Sequence, residues 1–447
     1  MKKHLFYSFL MLISLTGCNA AKANPEAEGA EEVEEGLPVI NLSENVKEVS
    51  TLNLSDAAER VEIVKLETSD KSILSNIFKL EVTDNDIWIA HMRDERIYRF
   101  SHEGKFLNTV GKQGDGPGEY VRLHNFIIDD KKKEVYVISA LKGIKVYDFG
   151  GNFLREQTDQ WLTPQIFTGA SPRIILYDGQ FVLSQNLAIN FPIQNPKDSL
   201  WSVAVVDNSF KKTKLFKNPI HVGKENDIMA NRAPAQEGWF NYITEQIPTA
   251  IDNYNNKLTF KMPGTDTIFV YNSAKKELQP QYAIFTNEKK GDFIKTNMWI
   301  KDRSDYDYFA IANYFDTKDY IYLVCSKGEQ IMTYSYDKKN HTVRQVKRQG
   351  KIVARDTPFK SFFGKPHLNF QRHFILNNDI TGGEFKLDYR SSGKFWVQVL
   401  NPGSSDFEKY EADLKKSSDA PHKKQLLDVI SKTSEDDNPI LLIAVLK

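Results

Sequence analysis

The apolar residues of this chain fall into short runs rich in Val, Ile, Tyr and Phe, separated by Asp, Asn and Gly. Within a run the large side chains alternate or continue for a few positions before turn residues intervene, which is the pattern of strands rather than helices. The runs also repeat. Ile97, Phe100, Gly104, Phe106 and Leu107 recur forty-seven positions later as Ile144, Tyr147, Gly151, Phe153 and Leu154, and Ile87, Trp88 and Ile89 are answered by Val135, Tyr136 and Val137 forty-eight positions on. The spacing predicts strands over Ile77–Val82, Ile87–His91, Arg96–Ser101 and Phe106–Val110, with turns at Asp84–Asp86 and Glu103–Gly104. A four-stranded unit with a period of about forty to fifty residues is the signature of a β-propeller blade.

Looser copies follow. Phe181–Gln185 and Trp201–Asp207 belong to a third unit, Leu258–Lys261 and Thr267–Tyr271 to a fourth, Tyr320–Val324 and Gln330–Tyr336 to a fifth, and Phe395–Leu400 to a sixth. The wholly apolar Ile440–Leu446 predicts a closing strand, and the alternating Arg60–Leu66 is its natural partner. From Phe407 to Ser431 the spacing of Leu414, Leu426, Leu427, Val429 and Ile430 predicts helix broken at Pro421, inserted in the last blade. The fold class expected is all-β: a six-bladed β-propeller over residues 37–447 with a small helical insertion near the C-terminus.

The amino terminus has a different pattern. Basic Lys2 and Lys3 precede an apolar run, Leu5–Leu15, that is too short to span a bilayer but has the order of a signal peptide. Leu15-Thr16-Gly17-Cys18 then resembles the lipobox of bacterial lipoproteins, which implies a signal peptide over 1–17 and lipid on Cys18. Residues 18–36 are rich in Ala, Glu, Pro and Gly and carry six glutamates from Glu26 to Glu35. Such a stretch cannot bury enough surface to order itself, and like charges extend it, so a flexible acidic tether is expected. The expected location is the outer membrane, periplasmic or surface-facing, with the membrane as a partner through the lipid anchor.

Charge and cysteine content narrow the function. Lys plus Arg equals Asp plus Glu at 59 each, which gives no electrostatic reason to expect nucleic acid. The two cysteines are Cys18 and Cys325; acylation of the first leaves no disulfide, and Cys325, within Tyr320–Val324 and its continuation, is expected to be a small buried hydrophobe.

The segment Gly111–Tyr120, GKQGDGPGEY, resembles a motif of the uncharacterised six-bladed β-propeller lipoproteins of Gram-negative bacteria, as do Val64–Thr68 and the terminal Asn438-Pro439 and Leu446-Lys447. The resemblance implies fold and export and supplies no reaction; its glycines carry a broader similarity to NHL-repeat propellers. Locally, the glycines and Pro117 suit a sharp turn between blades, and a phosphate cradle is excluded because strand rather than helix is expected to follow.

In such a ring the loops between blades and those between second and third strands share one face. Those loops carry His91, Arg93, Asp94, Arg122, His124 and Lys142 in the first blades. His91, Arg93, Arg122 and His124 are the candidate ligand-binding set, and their donors suit a small polar or anionic ligand. Histidines do not recur at a common blade position, as a metal-dependent lyase or hydrolase on this face would require, and no nucleophile elbow or zinc-type His-Glu-x-x-His segment occurs. No cofactor, metal or catalytic residue is assigned. Trp161, Trp201 and Trp239 are expected to cap blade cores rather than stack on sugars. The reading is a non-catalytic binding or assembly module meeting an envelope protein or a small ligand, with the metal-dependent enzyme as the alternative.

Overall fold

The computed structural model describes residues 36–74, 77–91, 95–139, 143–157, 173–184, 201–226, 249–288, 309–328, 330–349, 373–391 and 393–447. Six antiparallel sheets stand as blades around one axis, each running from an inner to an outer strand. Blade 1 comprises Ile77–Val82, Asp86–His91, Ile97–Ser101 and Phe106–Val110, and blade 2 comprises Leu123–Asp129, Glu134–Ser139, Gly143–Asp148 and Phe153–Gln157. Blades 3, 4 and 5 begin at Arg173, Ala250 and Ala310. Blade 6 holds Tyr389–Ser391, Phe395–Leu400 and Ile440–Leu446 from the carboxy-terminal end, and Ala58–Lys65 from the amino-terminal end is its outer strand. The predicted closure therefore occurs, with Leu442 opposite Ile63.

The alternation along the strands follows from packing on both faces. Ile87 and Ile89 join Phe395, Val397, Leu441 and Ile443 in the core between blades 6 and 1. Trp88 and Ala90, on the other face of the same strand, join Phe126, Val135 and Val137 in the core between blades 1 and 2. A second strand is thus sandwiched by two neighbours and reads as a continuous apolar run, whereas an outer strand such as Phe153–Gln157 is mostly exposed. Four further cores fill the remaining blade interfaces and complete the ring. Trp201 lies buried in the core between blades 2 and 3, as expected; Trp161 and Trp239 lie outside the described residues. Cys325 is a free, fully buried thiol in the core between blades 4 and 5.

The helical insertion joins the second and third strands of blade 6 as two helices, α1 (Ser405–Lys416) and α2 (Lys423–Ser431). Ser404 caps α1 by accepting from the Phe407 N–H at 3.2 Å. Tyr410, Leu414, Leu426 and Ile430 turn inward to a core shared with blades 5 and 6.

Ahead of the closing strand lies an arrangement that the sequence pattern did not announce. Val39–Asn41 pairs in parallel with Ala283–Phe285 outside blade 4, and Val46–Glu48 pairs in parallel with Val343–Gln345 outside blade 5. The chain then touches a small hairpin, Ile375–Asn377 with Glu384–Lys386, through a bridge between Asn53 and Asn377. Residues 37–57 are therefore a strap across the rims of blades 4 and 5, leading into blade 6.

Candidate functional site

Two loops on the ligand-type face are locked together beside the candidate residues. In the Gly-rich loop, Gln113 bridges Tyr120, and the Tyr120 N–H donates to the Lys112 carbonyl at 3.1 Å. The Tyr120 ring is fully buried between blades 1 and 2, and its hydroxyl donates to the Glu95 carbonyl. Glu95 also accepts from the Leu123 N–H at 2.8 Å, so the loop after the second strand of blade 1 is stapled to the crossover into blade 2. Gly111 is required where it stands, because its φ is +73° and a Cβ would sit 2.5 Å from the Tyr120 ring. The Gly-rich motif is a turn with a structural task, and strand Leu123–Asp129 follows it.

Around this staple the candidate residues take different positions. Arg122 is exposed directly before the inner strand of blade 2, and His124 is half-buried at a bulge between Leu123 and Asn125. His91 ends the second strand of blade 1, buried opposite Ile77, with its ring 5.0 Å from that of Tyr98. Arg93, Asp94 and Lys142 lie outside the described residues.

The hub is the second polar region, and sequence reasoning missed it. An inner strand is a sheet edge, so half its backbone groups face the axis without a strand partner. Two cations meet this need. Lys79 of blade 1 reaches blade 2, donating to Asn125 Oδ1 at 2.6 Å and to the Phe126 carbonyl, and lies 3.5 Å from Glu81. Arg390 of blade 6 donates to the carbonyls of Ile251 in blade 4 at 2.9 Å and Tyr314 in blade 5 at 3.3 Å. Its guanidinium is 3.2 Å from Asp252, which also accepts from the N–H groups of Asp316 at 2.6 Å and Asn253 at 3.0 Å. Burial pulls the Arg390 guanidinium below its ordinary value, and the Asp252 charge opposes that. Beneath it, a Cβ on Gly393 would stand 2.0 Å from the Asn253 carbonyl oxygen, and the Tyr254 hydroxyl donates to the Lys447 carbonyl. The turn between the first two strands of blade 6 thus crowds the end of the blade 4 inner strand. The available signal was a charged residue in each inner strand, but Tyr389–Ser391 is only three residues long and shows no periodicity.

Two segments more than 360 positions apart in the sequence meet at a third polar cluster. Asn438 donates to the carbonyls of Glu67 at 2.6 Å and Ser72 at 2.7 Å, accepts from the Leu74 N–H at 2.8 Å, and its own N–H donates to Thr68 Oγ1 at 2.8 Å. The Leu-Glu-Thr and Asn-Pro segments singled out in the sequence are therefore two halves of one clasp. Among the described residues, no group of three or more His, Cys, Asp or Glu side chains is placed to share a metal ion.

A ring of six blades, sealed by Ala58–Lys65 beside Ile440–Leu446 and bridged at its hub by ion pairs, makes the molecule a six-bladed β-propeller. The chain belongs to the DUF4934 family, a domain of unknown function whose family model matches residues 37–445. It is similar in fold to a protein of Bacteroides fragilis inferred to be exported, at 17% identity and a TM-score of 0.58, over 92% of this chain and 100% of that one. A DUF4221 family member from Bacteroides vulgatus aligns at 11% identity and a TM-score of 0.44, over 87% of this chain and 99% of that one. No curated protein matches the sequence.

Proposed function

We propose that this chain is an exported lipoprotein of the bacterial envelope, anchored through Cys18 at the outer membrane, whose propeller is a non-catalytic binding or assembly module. The observation that carries the binding role is the state of the hub: Lys79, Glu81, Asp252 and Arg390 are engaged with one another and with inner-strand backbone. Charges committed in this way stabilise the ring and are not offered to a substrate. Recognition then falls to the face of the blade-connecting loops, where Arg122 is exposed beside His124 and where the α1–α2 insertion adds surface. A small polar or anionic ligand would meet Arg122 and His124 of the expected set there, and an envelope protein would meet the wider face. The Bacteroides fragilis protein of similar fold, itself only inferred to be exported, agrees with the export reading, and the Leu-Thr-Gly-Cys segment supports the lipid.

The test joins localisation to binding. Mass spectrometry of the mature amino terminus is expected to show an acylated Cys18, and Cys18→Ala is expected to shift the protein out of the membrane fraction. Cross-linking in intact envelopes followed by detergent extraction should recover a partner, with recovery reduced by Arg122→Ala. An unmodified soluble product beginning elsewhere refutes the anchor. Stoichiometric metal in the purified protein, with turnover that disappears on chelation, refutes the non-catalytic role.

A further inference from the structure

The strap over residues 37–57 is bonded unlike any other part of the ring. Blades 4 and 5 each have four strands of their own, and Val39–Asn41 and Val46–Glu48 add outside those complete sheets as strands of three residues. The side-chain anchoring is uneven. Ile40 and Leu42 are buried in the core between blades 4 and 5, while Lys47 and Glu48 are exposed and Val46 is half-buried. The exposed Lys347–Glu48 ion pair, at 2.8 Å, adds little.

Past residue 51 the bonding changes. Leu52 and Leu54 are buried, the Asn377 N–H donates to the Leu52 carbonyl at 2.8 Å, and the Ser55 N–H donates to Asp379 Oδ1 at 3.0 Å. Arg344 pairs with Asp56 at 2.7 Å, and Ala58–Lys65 then becomes an integral strand of blade 6. The section held only at the blade rims, by short strand pairings, by the Pro38, Leu42, Ser43 and Val49 hydrogen bonds and by Ile40 and Leu42, gives way at about Leu52 to the section continuous with blade 6.

The geometry points to a releasable strap: residues 36–51 detach from the rims of blades 4 and 5 while the ring stays closed through Ala58–Lys65, with Leu52–Asp56 as the fixed hinge. Detachment leaves four-stranded blades like blades 1 and 2, so the ring loses no strand that it needs. At about 3.3 Å per extended residue, release frees roughly 50 Å of chain. Such release gives the propeller a short and a long reach from its membrane. That consequence rests on the proposed lipid anchor; the release itself does not.

Hydrogen exchange on the full-length, detergent-purified protein tests it. Amides of Ile40, Leu42 and Val46–Val49 are expected to exchange at least about tenfold faster than those of Ala58–Lys65 and Ile440–Leu446, because local opening precedes global opening. Internal deletion of residues 37–48 is expected to leave protection of Ile440–Leu446 within about twofold of the parent. Ile40→Asp with Leu42→Asp should raise strap exchange to that of an unstructured segment with the same ring protection. Exchange of the strap together with the closing strand, or loss of ring protection in the deletion variant, overturns the proposal. Neither readout uses the lipid or a partner, so a Cys18 found unmodified removes the anchor and leaves the strap result standing.

Discussion

Arg390→Ala is the perturbation that most directly probes the hub. The side chain stands at 5% exposure, 3.2 Å from the Asp252 carboxylate, and caps the Ile251 and Tyr314 carbonyls. Removing it takes the guanidinium away from the buried Asp252 carboxylate, which keeps the Asp316 and Asn253 N–H donors. Breaking a buried pair from one side costs about 3–5 kcal/mol, more than the pair contributes relative to a well-packed apolar replacement, because the remaining charge keeps its desolvation penalty. For a ring of this size the unfolding entropy is about 0.9 kcal/mol/K, so the melting temperature should fall by roughly 3–6 °C. Differential scanning calorimetry and urea titration of the parent, Arg390→Ala, Asp252→Asn and the double variant complete a cycle, in which the coupling energy should exceed about 1 kcal/mol. Asp252→Asn should recover part of the loss in the Arg390→Ala background, since it removes the buried charge while keeping an acceptor for the Asp316 N–H. Arg122→Ala, at an exposed position, serves as the control and should stay within about 0.5 kcal/mol of the parent. A loss below about 1 kcal/mol for Arg390→Ala, or no coupling to Asp252, would refute the assignment of these charges to holding the ring.

Gly393→Ala places a Cβ 2.0 Å from the Asn253 carbonyl oxygen at a φ of +66°, so a loss of at least about 2 kcal/mol is expected by chemical denaturation; stability equal to the parent would show that the blade 6 turn does not crowd the blade 4 inner strand there. Asn438→Ala removes all three side-chain hydrogen bonds of the clasp and should cost about 2–3 kcal/mol and open residues 67–74 to limited proteolysis, a result absent if the clasp is ornamental. Burial pushes the Cys325 thiol well above its ordinary value, so a maleimide at pH 8 should leave the native protein unlabelled and label it fully in denaturant; rapid native labelling would place the thiol elsewhere.

How much of this was legible in the sequence depended on whether a segment packs on two faces. The second strands of blades 1 and 2 lie between neighbouring blades, so Ile87–Ala90 and Val135–Ile138 form apolar runs at a constant spacing. The closing strand was legible for the same reason, since every residue of Ile440–Leu446 is buried. The helices showed through their 3.6-residue spacing, and the break at Pro421 falls between them. The strap was illegible because Val39–Asn41 and Val46–Glu48 are three residues long, lack flanking turns of their own, and find partners about 240 to 300 positions away. Arg390 was hidden because a charged residue in a short segment reads as surface, and only ring closure brings Ile251, Tyr314 and Asp252 to it. Of the candidate ligand residues, Arg122 and His124 were placed beside the Gly-rich crossover by local spacing alone, whereas the burial of His91 against Tyr98 follows from the facing third strand.

The departures from sixfold repetition narrow where a partner would act. Closing the ring requires one outer strand from the amino-terminal end, and Ala58–Lys65 supplies it. Nothing in closure requires the strap, the hairpin at Ile375–Lys386 or helices α1 and α2. Yet among the described residues these share one continuous core: Leu52 and Leu54 of the strap, Leu376 and Phe385 of the hairpin, and Leu414, Leu426 and Ile430 of the helices. Blades 1 and 2, in contrast, are plain four-stranded units whose outer strands expose Leu107, Phe153 and Leu154. Ordering an additional layer has a conformational cost that ring closure alone does not demand, of about 1–2 kcal/mol per residue before burial offsets it. A partner that engages the loop face beside blade 6 would therefore meet the layer in which this chain departs most from its own repeat.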